Sequence, residues 1–370
     1  MREIDGRGAI VDRVGGTVRM APIRVEPPGP GEVRVQLVAS GVCHSDHWAV
    51  RNGNWGAPFP MLLGHEGAGI VEDAGDGVDL TPGDAVLLAW AVPCGSCRTC
   101  LRGAPRKCAH GWAQPPRVSV AGTGERLEGT LSLGTLATHT VVNAAQAIRV
   151  PNGADLSRIC LLGCGVSTGV GAAINTAGVW PGATVAVVGL GGIGLAALQG
   201  SRIAGATRLI AVDLVADKLA WARDLGATDV VDASSGDAVT AVRAVTGDQG
   251  VDVAFEATGV PQVVSQAVAM LGSGGVAVAI GVPPPASHIT LDWNEGPGAA
   301  YPNKSSLLVT DGGDPLTEDF VTWMDWAIRG SLDLDTMVTR EGELSEAGIE
   351  EAFRAMLAGE VVRTVIRIAT

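Results

Sequence analysis

Residues 184–204 read TVAVVGLGGIGLAALQGSRIA, and this stretch decides the fold. Thr184 to Val188 is a short β-branched and apolar run, as a strand buried on both faces must be. It leads directly into Gly189-Leu190-Gly191-Gly192-Ile193-Gly194 and then into a helical segment, Leu195 to Ala204. Each glycine of a G-x-G-x-x-G held between strand and helix has a mechanical reason. Gly189 permits the tight turn, Gly191 lets the backbone approach a pyrophosphate, and Gly194 allows the helix to pack closely on the strand. Gly192 and Ile193 complete the turn, and the helix N-terminus offers unpaired N–H groups and a positive dipole end to the phosphates. Asp213 ends the next strand, nineteen residues after Gly194. A carboxylate there accepts hydrogen bonds from the adenosine ribose hydroxyls and repels a 2′-phosphate. Leu214, not arginine, follows it, so the pattern predicts NAD(H) in preference to NADP. Lys218 is either a second ribose contact or an ordinary exposed lysine.

The same alternation continues downstream. Leu209 to Val212, Val251 to Phe255 and Val276 to Ile280 are apolar strands separated by segments of helical length, which predicts a doubly wound parallel sheet from about Gly165 onward. The first 150 residues have a different texture. Val33 to Val38, Gly69 to Asp73 and Asp84 to Leu88 read as short strands, broken by turn-rich clusters at 27–31 and 81–84, and together predict a small, partly open β-barrel. Thr317 to Arg329 and Ser345 to Leu357 carry helical periodicity, and Val361 to Ile368 is strand-like. A chain of 370 residues is long for one core, so two domains are expected. With 46% hydrophobic and 18% charged residues it is globular, and its net charge of -13 argues against a nucleic acid or an anionic membrane as partner. Glycines interrupt the longest apolar stretch, Ala183 to Leu198, so no membrane segment is expected. Arg98, Arg102, Arg106 and Lys107 form a small basic patch, read as a solvated surface.

Four of the seven cysteines, Cys94, Cys97, Cys100 and Cys108, fall within fifteen residues. A C-x2-C-x2-C-x7-C run can supply a closed tetrahedral shell of four thiolates suited to a structural zinc. The N-terminus has neither a charged n-region nor an apolar h-region, so a cytoplasmic, reducing location is expected and disulfides are not. Cys43 lies in Gly41-Val42-Cys43-His44-Ser45-Asp46, His65 in Gly64-His65-Glu66-Gly67, and Cys164 in Gly163-Cys164-Gly165. Taken singly, a buried cysteine or a histidine beside glycine is ordinary. Taken together, two thiolates and one imidazole from three segments form a three-ligand set with an open fourth position, the arrangement of a catalytic zinc. Cys160 is left as a core residue.

With these motifs in one chain, the sequence resembles the zinc-containing medium-chain alcohol dehydrogenases nearly end to end. GVCHSD at 41–46, GHEGAG at 64–69, the four-cysteine lobe, LLGCGVSTG at 161–169 and the glycine turn carry the resemblance. Within that family it is most similar to the actinobacterial S-(hydroxymethyl)mycothiol dehydrogenases, through CGSCRTCLRGAPRKC at 94–108, LLGCGVSTGVGAAINTAGV at 161–179 and GEVVRTVI at 359–366. The resemblance implies an α/β architecture: a GroES-like, partly open β-barrel catalytic domain (residues 1–165 and 310–370, with the zinc lobe at 94–108) and a Rossmann NAD-binding domain (166–309). It implies two zinc ions per chain. Cys43, His65 and Cys164 would hold the catalytic ion, Glu66 would lie near it, and Asp46 would accept the second N–H of His65. Ser45 matches the hydroxyl that takes the alcohol proton, His44 and Arg363 match neutralisers of the pyrophosphate, and Thr168 and Val282 match cofactor contacts.

The implied reaction is NAD-dependent oxidation of a primary alcohol, a formaldehyde–mycothiol adduct being the leading substrate. The alternative is a pathway alcohol dehydrogenase or aldehyde reductase acting on a larger secondary metabolite. A non-catalytic regulator on the same fold would have lost Cys43, His65 or Cys164, and all three are present. One departure concerns the proton relay, which ends in many members at a histidine where this chain has Trp48. His47, one residue earlier, faces another way and does not inherit the role. Trp48, Trp55 and Trp90 are read either as substrate-pocket walls or as core. The long connection from Gly111 to Ala137 is expected to shape substrate access. A homodimer or homotetramer is implied, with the Val276 to Val282 sheet edge as the contact between copies.

Overall fold

Residues 2–53, 55–108, 115–291, 305–310 and 312–368 are described by the computed structural model. They divide into two units, Met1–Cys164 with Leu316–Arg329 and Val338–Thr370, and Gly165–Pro315 with Gly330–Met337.

In the first unit the strand Glu32–Val42 is the organising element. It pairs antiparallel with Glu66–Ala74, His139–Asn143 and Arg363–Arg367. Val33, Val35, Leu37 and Ala39 alternate along it and are all fully buried, the period of two expected of a strand with one face on a core. The sheet continues on one side through Ala85–Leu88 to Ala147–Arg149 and on the other to Val338–Glu343. A second sheet runs in the order Val118–Val120, Arg19–Val25, Ile4–Val11, Met61–Leu62, Glu128–Gly129. Ile10, Ile23, Met61 and Leu62 from this sheet join Val33, Val35 and Leu37 in one apolar core. The partly open barrel expected from the sequence is present.

The second unit is built on six parallel strands: Asp229–Asp232, Arg208–Asp213, Thr184–Val188, Val251–Glu256, Leu271–Ala279 and Ser306–Val309, in that spatial order. Counted along the unit this is 3-2-1-4-5-6, the doubly wound order whose switch point lies between Thr184–Val188 and Val251–Glu256.

Three expectations need correction. Leu271–Ala279 is not a sheet edge, because Ser306–Val309 pairs with it and takes the outer position. The stretch 111–137 is not one long connection over its described part. Val118–Val120 pairs with Arg19–Val25, and Leu127, Leu133 and Leu136 enter the core; residues 111–114 lie outside the described residues. Finally, 330–337 belongs to the second unit and not with the C-terminal part of the first. The buried Gln199 amide decides this. It donates to the Asp333 carbonyl at 3.0 Å and accepts the Asp333 N–H at 2.7 Å, while Leu332 and Met337 are fully buried. Gln199→Ala leaves both Asp333 backbone groups without these partners and should lower unfolding stability by about 1–3 kcal/mol. Denaturant unfolding checks this, and an unchanged midpoint would show that the clamp contributes nothing.

Candidate active site

Cys43 terminates the long strand Glu32–Val42 and is the N-cap of the helix His44–Asn52. The fourth residue of this turn, Asp46, is fully buried and works in three directions. Its Oδ2 accepts the Cys43 N–H at 3.2 Å, its Oδ1 accepts the Gly64 N–H at 3.1 Å, and Oδ1 also lies 2.9 Å from His65 Nδ1. The acid at the helix start thus caps its own helix and draws in the neighbouring histidine loop. Gly64, at φ +95, can bring that loop close to the 135–136 segment because a Cβ there would lie 2.3 Å from Leu136 N. Cys164 arrives through the tight turn Cys160–Gly163, in which a Cβ on Gly163 would meet the Leu88 carbonyl at 2.7 Å.

These turns bring Cys43 Sγ, a ring nitrogen of His65, Cys164 Sγ and a carboxylate oxygen of Glu66 within 4.8 Å of one another, all on buried residues. His65 is fully buried, and its Nε2 makes no hydrogen bond among the described residues. With Nδ1 committed to Asp46, that orphaned nitrogen is the kind of atom a metal ligand leaves exposed to its ion. The donor set of two sulfurs and one imidazole suits zinc. The donors also act on one another electrostatically. Burial pulls the His65 pKa down, but the Asp46 carboxylate and the Cys43 sulfur outweigh it and raise it well above the ordinary value. The Cys164 thiol hydrogen-bonds Cys43 and holds the Cys43 pKa well below the usual thiol range, while Cys164 itself is pushed up. One thiolate is thus already favoured within the cluster.

Glu66 is fully buried and paired with the Arg363 guanidinium, itself 5% exposed. Burial raises the Glu66 carboxyl to about 7, against the pull of Arg363. The partner of Arg363 in this structure is thus an internal carboxylate of the same unit. Ser45 is half-buried and His44 exposed on the first turn of the helix.

The four-cysteine lobe is equally pre-shaped. Cys97 N–H points to Cys94 Sγ at 3.3 Å, Cys100 N–H to Cys97 Sγ at 3.5 Å, and Cys94 N–H to Cys108 Sγ at 3.5 Å. Backbone N–H groups of Ser96 and Cys97 lower the Cys94 pKa to about 6. Cys97 and Cys108 sulfurs are 3.8 Å apart and Cys108 and Cys94 sulfurs 3.6 Å. Sulfurs bound tetrahedrally at ~2.3 Å to one zinc stand about 3.8 Å apart, so the spacing fits the ion. Of the basic patch, Arg106 is not simply solvated, since it forks onto Asp319 at 2.5 and 3.3 Å.

In the second unit the glycine turn has the geometry its sequence predicts. Gly189 has φ +91, and a Cβ on Gly194 would sit 1.8 Å from the Gly189 carbonyl, so helix Gly192–Ile203 could not otherwise approach. A Cβ on Gly191 would meet nothing within 4 Å, leaving open space where a phosphate would lie. Asp213 makes backbone contacts that the sequence did not suggest. Its Oδ2 accepts the Leu190 N–H at 2.7 Å, inside the glycine turn, and its Oδ1 accepts the Leu214 and Val215 N–H groups at 2.8 and 3.0 Å.

Residues 29–152 match the family profile described as "Alcohol dehydrogenase GroES-like domain", and residues 192–327 that described as "Zinc-binding dehydrogenase". An alcohol dehydrogenase zinc-binding domain protein from Burkholderia ambifaria is 31% identical, with a TM-score of 0.92 and all of both chains covered. The chain belongs to the zinc-dependent medium-chain alcohol dehydrogenase family. Benzyl alcohol dehydrogenase from Acinetobacter calcoaceticus is 29% identical with a TM-score of 0.89, over 99% of this chain and 100% of that one. A zinc-binding dehydrogenase from Sinorhizobium meliloti 1021, solved bound to NADP, is 26% identical with a TM-score of 0.81, over 98% and 99% of the chains.

This dehydrogenase distributes its remaining predicted residues unevenly. Thr168 is buried in helix Gly165–Gly171, Val282 is 71% exposed, and Lys218 is half-buried on helix Ala216–Asp224. Trp48 and Trp55 stack at 4.9 Å and 22°, whereas Trp90 packs on the barrel core. His47 meets Phe353 edge-on at 5.6 Å, so its ring is engaged with helix Glu346–Leu357. Cys160 is fully buried and donates to the Ser157 carbonyl, a core residue as expected. No single helix among the described residues is long and apolar enough to cross a membrane. Sequence inspection missed the Glu66–Arg363 pair because its members lie 297 positions apart. It also missed the hold of Asp213 on Leu190, a tertiary contact without a motif.

Asp46→Ala strips an acceptor from His65, Gly64 and Cys43 at once. Zinc affinity of the enzyme should fall about 10- to 100-fold, read by competition with a chromophoric chelator. Retention of zinc at the wild-type level would remove Asp46 from the site.

Proposed function

We propose that this protein is an NAD-dependent dehydrogenase of primary alcohols, working also as a reductase of the matching aldehydes, with one catalytic and one structural zinc per chain. The observation that carries the proposal is the buried convergence of Cys43, His65 and Cys164, with His65 Nε2 unpartnered and Nδ1 locked on Asp46.

Each residue then has a task. Cys43, His65 and Cys164 would hold the catalytic ion, a three-ligand set of the kind that accepts a substrate oxygen. Asp46 fixes the His65 tautomer, so that the lone pair on Nε2 would be available to an ion. The bound zinc supplies a Lewis acid that lowers the pKa of an alcohol oxygen, and the bound nicotinamide supplies the hydride acceptor. Ser45, one step into the helix from Cys43, takes the alcohol proton. Trp48 cannot extend a relay beyond Ser45, because an indole N–H donates and does not accept. Cys94, Cys97, Cys100 and Cys108 hold the structural ion. Asp213 accepts the ribose hydroxyls with the acceptor capacity its backbone bonds leave, Lys218 adds a ribose contact, His44 offers charge to the pyrophosphate, and Thr168 and Val282 contact the cofactor. Arg363 keeps Glu66 in place. A reducing, cytoplasmic setting suits cysteines kept as thiolates for metal.

Within this activity, the formaldehyde–mycothiol adduct is the leading substrate, on the strength of the 94–108, 161–179 and 359–366 segments. A larger aromatic alcohol is the second reading. The Trp48–Trp55 stack favours it, with Trp55 52% exposed, and a benzyl alcohol dehydrogenase is among the relatives. Steady-state NADH production from formaldehyde with and without mycothiol, beside benzyl alcohol, separates the two. Strict dependence on mycothiol supports the first, and benzyl alcohol turnover without it the second. Cys164→Ala should lose at least about 1000-fold in kcat while NAD binding persists, since the ion's stabilisation of charge amounts to several kcal/mol. Unaltered turnover would contradict the assignment. Asp213→Asn keeps an acceptor for Leu190 N–H but drops the charge. The NADP-to-NAD ratio of kcat/KM should rise about tenfold or more, and an unmoved ratio would dissociate Asp213 from cofactor choice.

A further inference from the structure

Glu256 is the last residue of strand Val251–Glu256, one of the two strands that flank the switch point of the parallel sheet. Ligands of such sheets bind outside the carboxyl ends of the strands at this point. Glu256 nevertheless does not face solvent. It is 1% exposed, and nothing in the chemistry of the alcohol requires a buried acid here.

Its carboxylate organises the loop that follows it. Oε1 accepts three donors at once: Thr258 N–H at 2.6 Å, Thr258 Oγ1–H at 2.5 Å and Gly259 N–H at 2.9 Å. Oε2 is buried with no hydrogen-bond partner among the described residues. The backbone carbonyl of Glu256 accepts Ile280 and Gly281 N–H groups at 2.8 and 3.1 Å, which ties in the loop after the next strand. The loops held in this way touch at the backbone. A Cβ on Gly281 would lie 2.0 Å from Gly259 N, and one on Gly259 2.6 Å from the Val282 carbonyl. On the other side the Thr258 methyl would be 2.6 Å from a Cβ on Gly189, the first glycine of the phosphate turn, and Ala257 N–H bonds the Val188 carbonyl at 2.9 Å. The Glu256 side chain thus holds Thr258 and Gly259, and these two residues abut both the Gly189 turn and the Gly281–Val282 loop.

We propose that Glu256 is a positioning residue for the dinucleotide, acting through Thr258 and Gly259 on the Gly189 turn and the Gly281–Val282 loop. It does not touch the cofactor. A carboxylate serves where a neutral group would be weaker, because three donors converging on one oxygen are held by charge-assisted bonds. The inference rests on the dinucleotide-dependent reading above.

The test is direct NAD binding by calorimetry on the full chain, with wild type, Glu256→Ala, Glu256→Gln and Thr258→Val. Thermal unfolding and zinc content accompany each variant. Glu256→Ala should raise the NAD Kd about tenfold or more, the scale of losing charge-assisted bonds, and should raise the NAD KM further than the alcohol KM. Glu256→Gln keeps the accepting oxygen and should recover most of the affinity. Thr258→Val keeps its shape and removes one of the three donors, so a smaller loss of NAD affinity is expected even where Glu256→Ala fails to fold. Wild-type NAD affinity in folded Glu256→Ala, or in Thr258→Val if the former does not fold, overturns the inference alone. A wild type that binds neither NAD nor NADP overturns the proposed function and this inference with it.

Discussion

One buried carboxylate sets the geometry on which the metal site depends. Asp46 takes hydrogen bonds from Cys43 and Gly64 backbone and meets His65 Nδ1, with no exposure to solvent. An acid so deeply buried is tolerable only when its lone pairs are filled. Here they are filled by groups from the two segments that carry a thiol and an imidazole. The bonds that stabilise the acid are therefore the same bonds that fix the spacing between Cys43 and His65. The third donor, Cys164, is placed by the close approach of its turn to Leu88 and not by Asp46. The donors stand preassembled because two independent constraints, one electrostatic and one steric, converge on them.

The pattern recurs in the second unit, where Asp213 and Glu256 bind backbone N–H groups of the loops around the switch point. Acids in this protein hold loops at strand ends. Short glycine-rich connections have little apolar surface to bury, so packing alone would leave them mobile. A carboxylate that accepts two or three N–H groups supplies the missing order at small volume. The Glu66–Arg363 pair is a different case: both partners are buried, and burial holds the acid near 7 despite the adjacent guanidinium. Such a pair costs desolvation on both sides and fixes position more than it adds stability.

Much of this was legible in the residues. The strand Thr184–Val188 and its glycine turn were read to the residue, because every requirement of that turn is local. The cysteine lobe was equally plain, since ligand spacing is a property of sequence. The barrel was read only in part. Ile4–Val11 went unseen because Gly6, Arg7 and Gly8 break its apolar pattern, yet a Cβ on Gly8 would strike Leu62 at 2.6 Å. Helix His44–Asn52 was hidden by its polar, histidine- and tryptophan-containing sequence; its start is marked by a capping box that uses Cys43 in place of the usual serine or threonine. The segment 330–337 was assigned to the wrong unit because Gln199, over a hundred positions away, decides where it packs. Ser306–Val309 was missed as the outer strand because it is four residues long and partly exposed. For Ile4–Val11 and for 330–337 the deciding partner, Leu62 or Gln199, lies far along the chain.

The central claim is that Cys43, His65 and Cys164 hold a zinc ion independently of the four-cysteine lobe. Elemental analysis of protein purified with zinc in excess tests it most directly. Wild type should carry about two ions per chain and a His65→Ala, Cys164→Ala double variant about one, as expected for a three-ligand site separate from a four-thiolate one. A wild type that takes up no more zinc than the double variant would contradict the account.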